Sequence, residues 1–322
     1  MTTEKIYELA IREGLKNDFR PKSVIDEHLA KARKAFKRLA KEKQQYFDQE
    51  RLTNPYADSR IHLDFGRKTI KKALVGIDIT SGDVMIAREL KADLIIAHHP
   101  VGRALQGLDD AMALQADVLE MYGVPINVAE GLLRKRISEV ARGVHASNSY
   151  IAVDAARNLG LDFINIHTPA DNSVATFVKN MIEKKPPRYV SGVLDLIYSI
   201  PEYQEAARRG SAPVLFSGSP ENRTGRIAVT EMTGGTEGTP EIYERMATAG
   251  IGTIIAMHLS EQHRKKAEAA HINVVVAPHI ASDSLGMNLI LDHIEAAGVE
   301  IIPAGGFIRV KRGKSSKKEA AK

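Results

Sequence analysis

Four short apolar runs in this chain end in histidine: Leu94-Ile-Ile-Ala-His98-His99-Pro, Phe163-Ile-Asn-Ile-His167-Thr-Pro, Thr253-Ile-Ile-Ala-Met-His258 and Val274-Val-Val-Ala-Pro-His279. Runs this short and this apolar fit strands buried on both faces. Amphipathic stretches of helical length separate them. Strand-like runs alternating with helices predict an α/β fold with a largely parallel sheet flanked by helices. Open parallel sheets bind their ligands beyond the carboxyl ends of the strands. A single histidine at such an end is usually a cap or a turn partner. Four such ends, one carrying a His-His pair, converge on one sheet edge if all four runs are parallel strands.

Carboxylates accompany these histidines. Asp171 lies four residues beyond His167, and Asp283 four beyond His279. A helix starting between them puts each pair on one face, which lets a metal draw two ligands from one turn. His98 and His99 point in different directions, so one chain position can serve two ions. Asp78, in Gly-Ile-Asp-Ile-Thr, ends another run and reads as a helix cap or a partner to a ligand as readily as a ligand. His28, His62, His263, His271 and His293 lie in helical or polar contexts and read as surface or packing residues. His145 follows no convincing strand and stays a candidate for the substrate pocket.

Along the chain, residues 1–58 read as a helical N-terminal extension, with Val24, Leu29, Ala32, Phe36, Leu39 and Ala40 at helical spacing before Asn54-Pro55 breaks the pattern. It reads as an arm packed on the main domain or on a neighbouring subunit. A first α/β lobe is expected over 59–185. Within it Ala73–Ile79 and Asp93–Ala97 are strands, 109–122 is helical, Val124–Val128 is a strand, and helices fill roughly 130–160. A connector with a small antiparallel element follows over 186–232, and a second α/β lobe over 233–310. There Gly234-Gly235 is expected to open a helix running to about 249, and Glu300-Ile-Ile302 to form a last strand. A basic, disordered tail is expected over 311–322.

Composition narrows the chemistry. The chain has no cysteine, which excludes disulfides, thiolate catalysis and Cys-ligated metal, so any metal must sit on His, carboxylate, backbone or water. It has no tryptophan and only 5% aromatic residues, a poor supply for base stacking. The net charge of +5 is concentrated in the run Lys31–Lys43 and in the tail Lys311–Lys318, which read as solvated segments before they read as nucleic-acid arms. No stretch is apolar enough to span a bilayer and the N-terminus has no signal-peptide core, so the expected location is the cytoplasm.

Asp93-Leu-Ile-Ile-Ala-His-His-Pro100, preceded by Gly-Ile-Asp-Ile-Thr80, resembles the signature of the Nif-three-like family. Ser260-Glu-Gln262 followed by Ala277-Pro-His-Ile-Ala-Ser-Asp283 resembles its C-terminal block, and Gly234-Gly-Thr-Glu-Gly238 its glycine-rich turn. The likeness covers about residues 60–310. It implies a two-lobed fold, a toroidal homohexamer and a dinuclear centre whose ligands here are His98, His99, Asp171, His279 and Asp283. Asp283 stands where the family usually has Glu, and Pro278 where it has Gly. The stretch from His99 to Asp171 is longer than usual, which leaves His145 and His167 as competitors to Asp171.

Two divalent ions, whether Zn, Mn, Fe, Co or Ni, suit such ligands. Hydrolysis of a small anionic, phosphorylated or heterocyclic substrate is the expected chemistry, with His167 or His258 as general acid or phosphate clamp. The label GTP cyclohydrolase type 2 often attached to the family does not follow from the motifs. A metal-binding or metal-chaperone assembly protein without turnover is the alternative. A third reading is a nucleic-acid or transcription partner working through the basic arm and tail.

Overall fold

The apolar runs form two sheets that share one cleft. In the computed structural model, which describes residues 1–312, there are nine strands: β1 (Ile61–Leu63), β2 (Lys72–Gly76), β3 (Leu94–Ala97), β4 (Asp162–Asn165), β5 (Val214–Ser217), β6 (Arg226–Glu231), β7 (Ile251–Ala256), β8 (Asn273–Val276) and β9 (Glu300–Ala304). The first sheet has the order β1-β4-β3-β2-β9 and the second β5-β8-β7-β6. Every pair is parallel except β1 with β4 and β5 with β8. Leu94, Ile95, Ile96 and Ala97 are all buried, as an inner parallel strand with helices on both faces requires. This is the two-lobed α/β architecture read from the sequence, with the four histidine-ended strands divided between two sheets instead of lying on one edge.

Two long helices tie the sheets together. Thr168–Lys184 follows β4 and His279–Ala296 follows β8, and the two pack closely on each other. Each spans two cores: Ala170 and Met287 join the apolar cluster of the first sheet, Val174 and Leu285 that of the second. At their crossing, a Cβ on Gly286 would press into the Ala170 carbonyl, inside van der Waals contact. Gly286→Ala is therefore expected to wedge the helices apart and to destabilise the protein by about 1–3 kcal/mol, the usual scale of overpacking. A thermal melt checks it; an unchanged midpoint would show that the crossing has slack.

Several local expectations change. Of the two packings expected for the N-terminal residues, the first helix takes the one on the main domain. In helix Thr3–Lys16, Ile6, Tyr7, Leu9, Ala10 and Ile11 belong to the first sheet's own core, and Gly14 passes against Pro169. Val124–Val128 is not a strand. Pro125 starts helix Ile126–His145, whose Ala129 and Leu133 are buried at helical spacing. Gly234 and Gly235 hold φ of 92° and 89°, a left-handed turn that cannot begin a helix, so the helix there is Ile242–Thr248. Residues 186–232 contain helices Val190–Tyr198 and Pro201–Arg208; β5 is antiparallel, but β6 joins β7 in parallel. The last strand, β9, leaves the second lobe and pairs with β2 in the first sheet. Residues 313–322, most of the expected tail, lie outside the described residues. No helix among the described residues is long and apolar enough to cross a membrane.

Candidate metal centre

The β-ladders place the histidines. The His98 and His99 amides extend the β3 ladder, donating to the Gly76 and Ile77 carbonyls at 2.9 Å each. The Ile166 amide does the same toward Ala97, at 2.9 Å, and sets His167 beside them. Helix Thr168–Lys184 then brings Asp171 round in its first turn, where the helix dipole favours a carboxylate. From the facing sheet, helix His279–Ala296 presents His279 and Asp283.

Three imidazoles have one nitrogen occupied. His98 Nδ1 is 3.1 Å from the Ile166 carbonyl oxygen, His99 Nδ1 2.8 Å from Asp78 Oδ1, and His167 Nδ1 2.7 Å from Asp58 Oδ2. These partners only accept, so each Nδ1 carries the proton and, in a neutral ring, Nε2 is left with its lone pair. Those Nε2 atoms turn toward the carboxylates. His98 Nε2 lies 3.4 Å from both Asp171 Oδ1 and Asp283 Oδ1; His99 Nε2 is 3.3 Å from Asp283 Oδ2. His279 Nε2 is 3.5 Å from Asp283 Oδ2, and His167 Nε2 3.9 Å from Asp171 Oδ2.

The donor set fits a metal. His98 Nε2 and both Asp283 oxygens are buried without a hydrogen-bond partner. A buried carboxylate without donors is costly unless a cation meets it. Two overlapping groups, His98–His167–Asp171 and His98–His99–Asp283, have ligand atoms within 4.8 Å of one another and can hold a metal ion. His167, expected as a catalytic residue, thus stands among the candidate ligands, while His279 lies just outside the two tightest groups.

Protons compensate the carboxylates where no cation is bound. Burial alone would lower the His99 imidazole, but Asp283 and Asp78 push it up to about 10. Burial opposes charge on His167 too, yet Asp171 and Asp58 raise it. Burial pushes Asp171 up to about 6 against the pull of His167 and His98. It would push Asp283 up as well, but His98 and His99 hold that carboxyl far below the usual range. His279, for which burial outweighs Asp283, falls to about 4.

The cluster floors a cavity of about 250 Å³ that, among the described residues, no Lys or Arg lines. His258 also lines it, its ring 5.3 Å from that of His279. His258 Nδ1 is 3.6 Å from Glu237 Oε1, which also accepts the Ser260 amide at 2.9 Å. Burial would lower the His258 imidazole, and Glu237 raises it. Gly235 and Thr236 of the glycine-rich turn line the same cavity.

The five expected ligands, His98, His99, Asp171, His279 and Asp283, and the two expected acids, His167 and His258, gather at this one cleft. His145 does not: it is exposed at the end of helix Ile126–His145. Asp58 was missed. It follows no apolar run, but it lies just two residues, Ser59 and Arg60, ahead of β1, and β1 is antiparallel to β4, so the start of β1 lies at the carboxyl end of β4. That register is invisible until the pairing is known.

Two α/β sheets meet over a buried His/Asp cluster, which makes this an α/β protein with a site that could hold a metal ion. Among solved structures, the chain is similar to a NIF3 superfamily protein from Sphaerobacter thermophilus, with 25% identity, a TM-score of 0.71, and coverage of 78% of this chain and 92% of that one. Reduced HcgD from Methanocaldococcus jannaschii matches at 13% identity and a TM-score of 0.49, over 76% of this chain and 87% of that one. No family profile and no curated protein matches. With the fold shared along nearly the whole Sphaerobacter chain, and His98-His99 at the end of β3, the chain has the fold of a NIF3 superfamily protein, which supports its resemblance to the Nif-three-like family.

Proposed function

We propose that the cluster holds two divalent metal ions and that the protein is a metal-dependent hydrolase of a small phosphorylated or nucleotide-like substrate. The buried, partnerless His98 Nε2 and Asp283 oxygens at the floor of an open cavity carry the reading. His98 and Asp171 would hold one ion, and His99 and His279 the other. Asp283 would serve both, since its Oδ1 faces His98 and its Oδ2 faces His99 and His279. Ions bound there supply hydroxide near neutral pH and a clamp for the oxygens of a displacement.

The chain's own groups do the rest. His258, whose imidazole Glu237 raises, can donate a proton to a leaving group or hold an anionic oxygen in the cavity. Among the described residues no Arg or Lys lines the cavity, so recognition of an anion there would fall to the metals and His258. Some 250 Å³ admits the reacting group of a substrate and leaves a larger remainder outside. The homohexamer implied by the family motifs belongs to the same proposal, and light scattering on the purified protein reads it directly.

The test is turnover of a panel of phosphate mono- and diesters and nucleotides by protein loaded separately with Zn²⁺, Mn²⁺ and Co²⁺. Metal-dependent hydrolysis is expected, falling at least tenfold in His258→Ala with metal content unchanged. Stoichiometric metal without hydrolysis across the panel would overturn the hydrolase and favour a metal-binding protein without turnover.

A further inference from the structure

We propose that Asp58 is a positioning residue of the metal centre, holding His167 as a ligand to the same ion as His98 and Asp171, and that the N-terminal segment thereby governs how tightly that ion is kept. The proposal rests on reading the cluster as a metal site, and not on hydrolysis. Asp58 is wholly buried. Its Oδ2 accepts from His167 Nδ1 and from the Thr168 hydroxyl, both at 2.7 Å, while the Ser59 hydroxyl accepts the His167 amide at 3.0 Å. The Asp58-Ser59 pair therefore grips both the ring of His167 and the start of the helix that carries Asp171.

This grip selects one imidazole tautomer. With Nδ1 donating to a carboxylate, a neutral His167 offers only Nε2. That atom belongs to the buried group formed with His98 and Asp171, and the His167 and His98 ring centroids are 4.8 Å apart. A carboxylate behind a metal-bound imidazole fixes its orientation and raises its basicity, and losing such a partner typically weakens metal binding about 10- to 100-fold. Among the described residues the ion-pair partner of buried Asp58 is His167, and a buried carboxylate favours a ring that is charged or bound to a cation.

The grip is itself anchored in the N-terminal residues. The Ser59 carbonyl accepts from the Tyr7 hydroxyl at 2.6 Å and from Asn54 Nδ2 at 2.9 Å. Buried Arg60 donates to the Tyr56 and Ser59 carbonyls and pairs with Asp48 at 2.7 Å. The Tyr56 hydroxyl reaches Asp18 at 2.9 Å. Tyr7, Asp48, Asn54, Tyr56 and Arg60 thus form a hydrogen-bonded frame around Ser59, the neighbour of Asp58.

The experiment titrates Zn²⁺ against a chromophoric chelator in the full chain, comparing wild type with Asp58→Asn, His167→Ala and the double variant. One Zn²⁺ is expected to bind about 10- to 100-fold more weakly in Asp58→Asn, with the other unchanged, and the double variant should be no weaker than His167→Ala alone. Wild-type affinity in Asp58→Asn, or losses that multiply in the double variant, would overturn the proposal. Nitrogen-15 spectra of the Zn²⁺-loaded wild type need no variant to fold. They should show His167 protonated on Nδ1 and coordinated through Nε2, and a proton on Nε2 would overturn the assignment. A wild type that takes up no Zn²⁺ would bring down this proposal together with the metal reading, whereas a metal-loaded protein that hydrolyses nothing would leave it standing.

Discussion

Asp283→Asn should empty the metal centre. The Asp283 carboxylate faces His98 through one oxygen and His99 and His279 through the other, and neither oxygen has a hydrogen-bond donor of its own. An amide of the same shape keeps the volume but loses the charge and turns one oxygen into an N–H donor, which cannot ligate. Metal analysis of the purified variant should find both ions lost, with affinities lowered at least a hundredfold, far beyond the loss expected from any residue that only orients a ligand. Stability gives an independent reading. A ligand at a thousand times its Kd stabilises a folded protein by about 4 kcal/mol, so the wild type should melt higher when Zn²⁺ is added. The variant should show no such gain. A variant that retained one tightly bound ion would mean that Asp283 serves a single ion and that His98, His167 and Asp171 suffice for the other.

The centre was legible in the sequence where local rules set it. His98 and His99 were visible because the apolar run before them is too short for a helix, and an inner parallel strand delivers its last residues to the ligand edge. The pairs His167–Asp171 and His279–Asp283 were visible because each spans one turn at the start of a helix. Long-range pairing was not visible. Nothing local distinguishes four strand ends on one sheet from two ends on each of two facing sheets. Nor could the sequence show that β9 returns to β2, since a lone apolar run carries no address. Asp58 was hidden for the same reason, lying at the site only through the antiparallel register of β1 on β4. Two differences are local. The run Val124–Val128 predicts a strand where Pro125 begins a helix, and Gly234-Gly235, expected to open a helix, form a left-handed turn.

Metal uptake should tighten as the pH rises, because the metal-free centre holds protons that a cation must displace. With His99 raised to about 10, its ring is protonated at pH 7, while Asp171, at about 6, is largely ionised. Binding at pH 7 should then release about one proton from His99, and about one more below pH 6 as Asp171 joins. The apparent association constant should climb about tenfold per pH unit around neutrality and level off near pH 10. Calorimetry in buffers of different ionisation enthalpy counts these protons directly; heats that do not depend on the buffer would refute the protonated resting state. Stability without metal should run the other way. The folded His99 value lies above its ordinary 6.5, so its protonation contributes stability that is complete below about pH 6.5 and lost as the pH rises toward 10. The metal-free melting temperature should therefore fall across that window while the metal-loaded one holds or rises. The widening gap between the two curves is the free energy of proton–metal exchange at the His99–Asp283 pair. A structural ion pair with no affinity for metal would show the first curve and never the second.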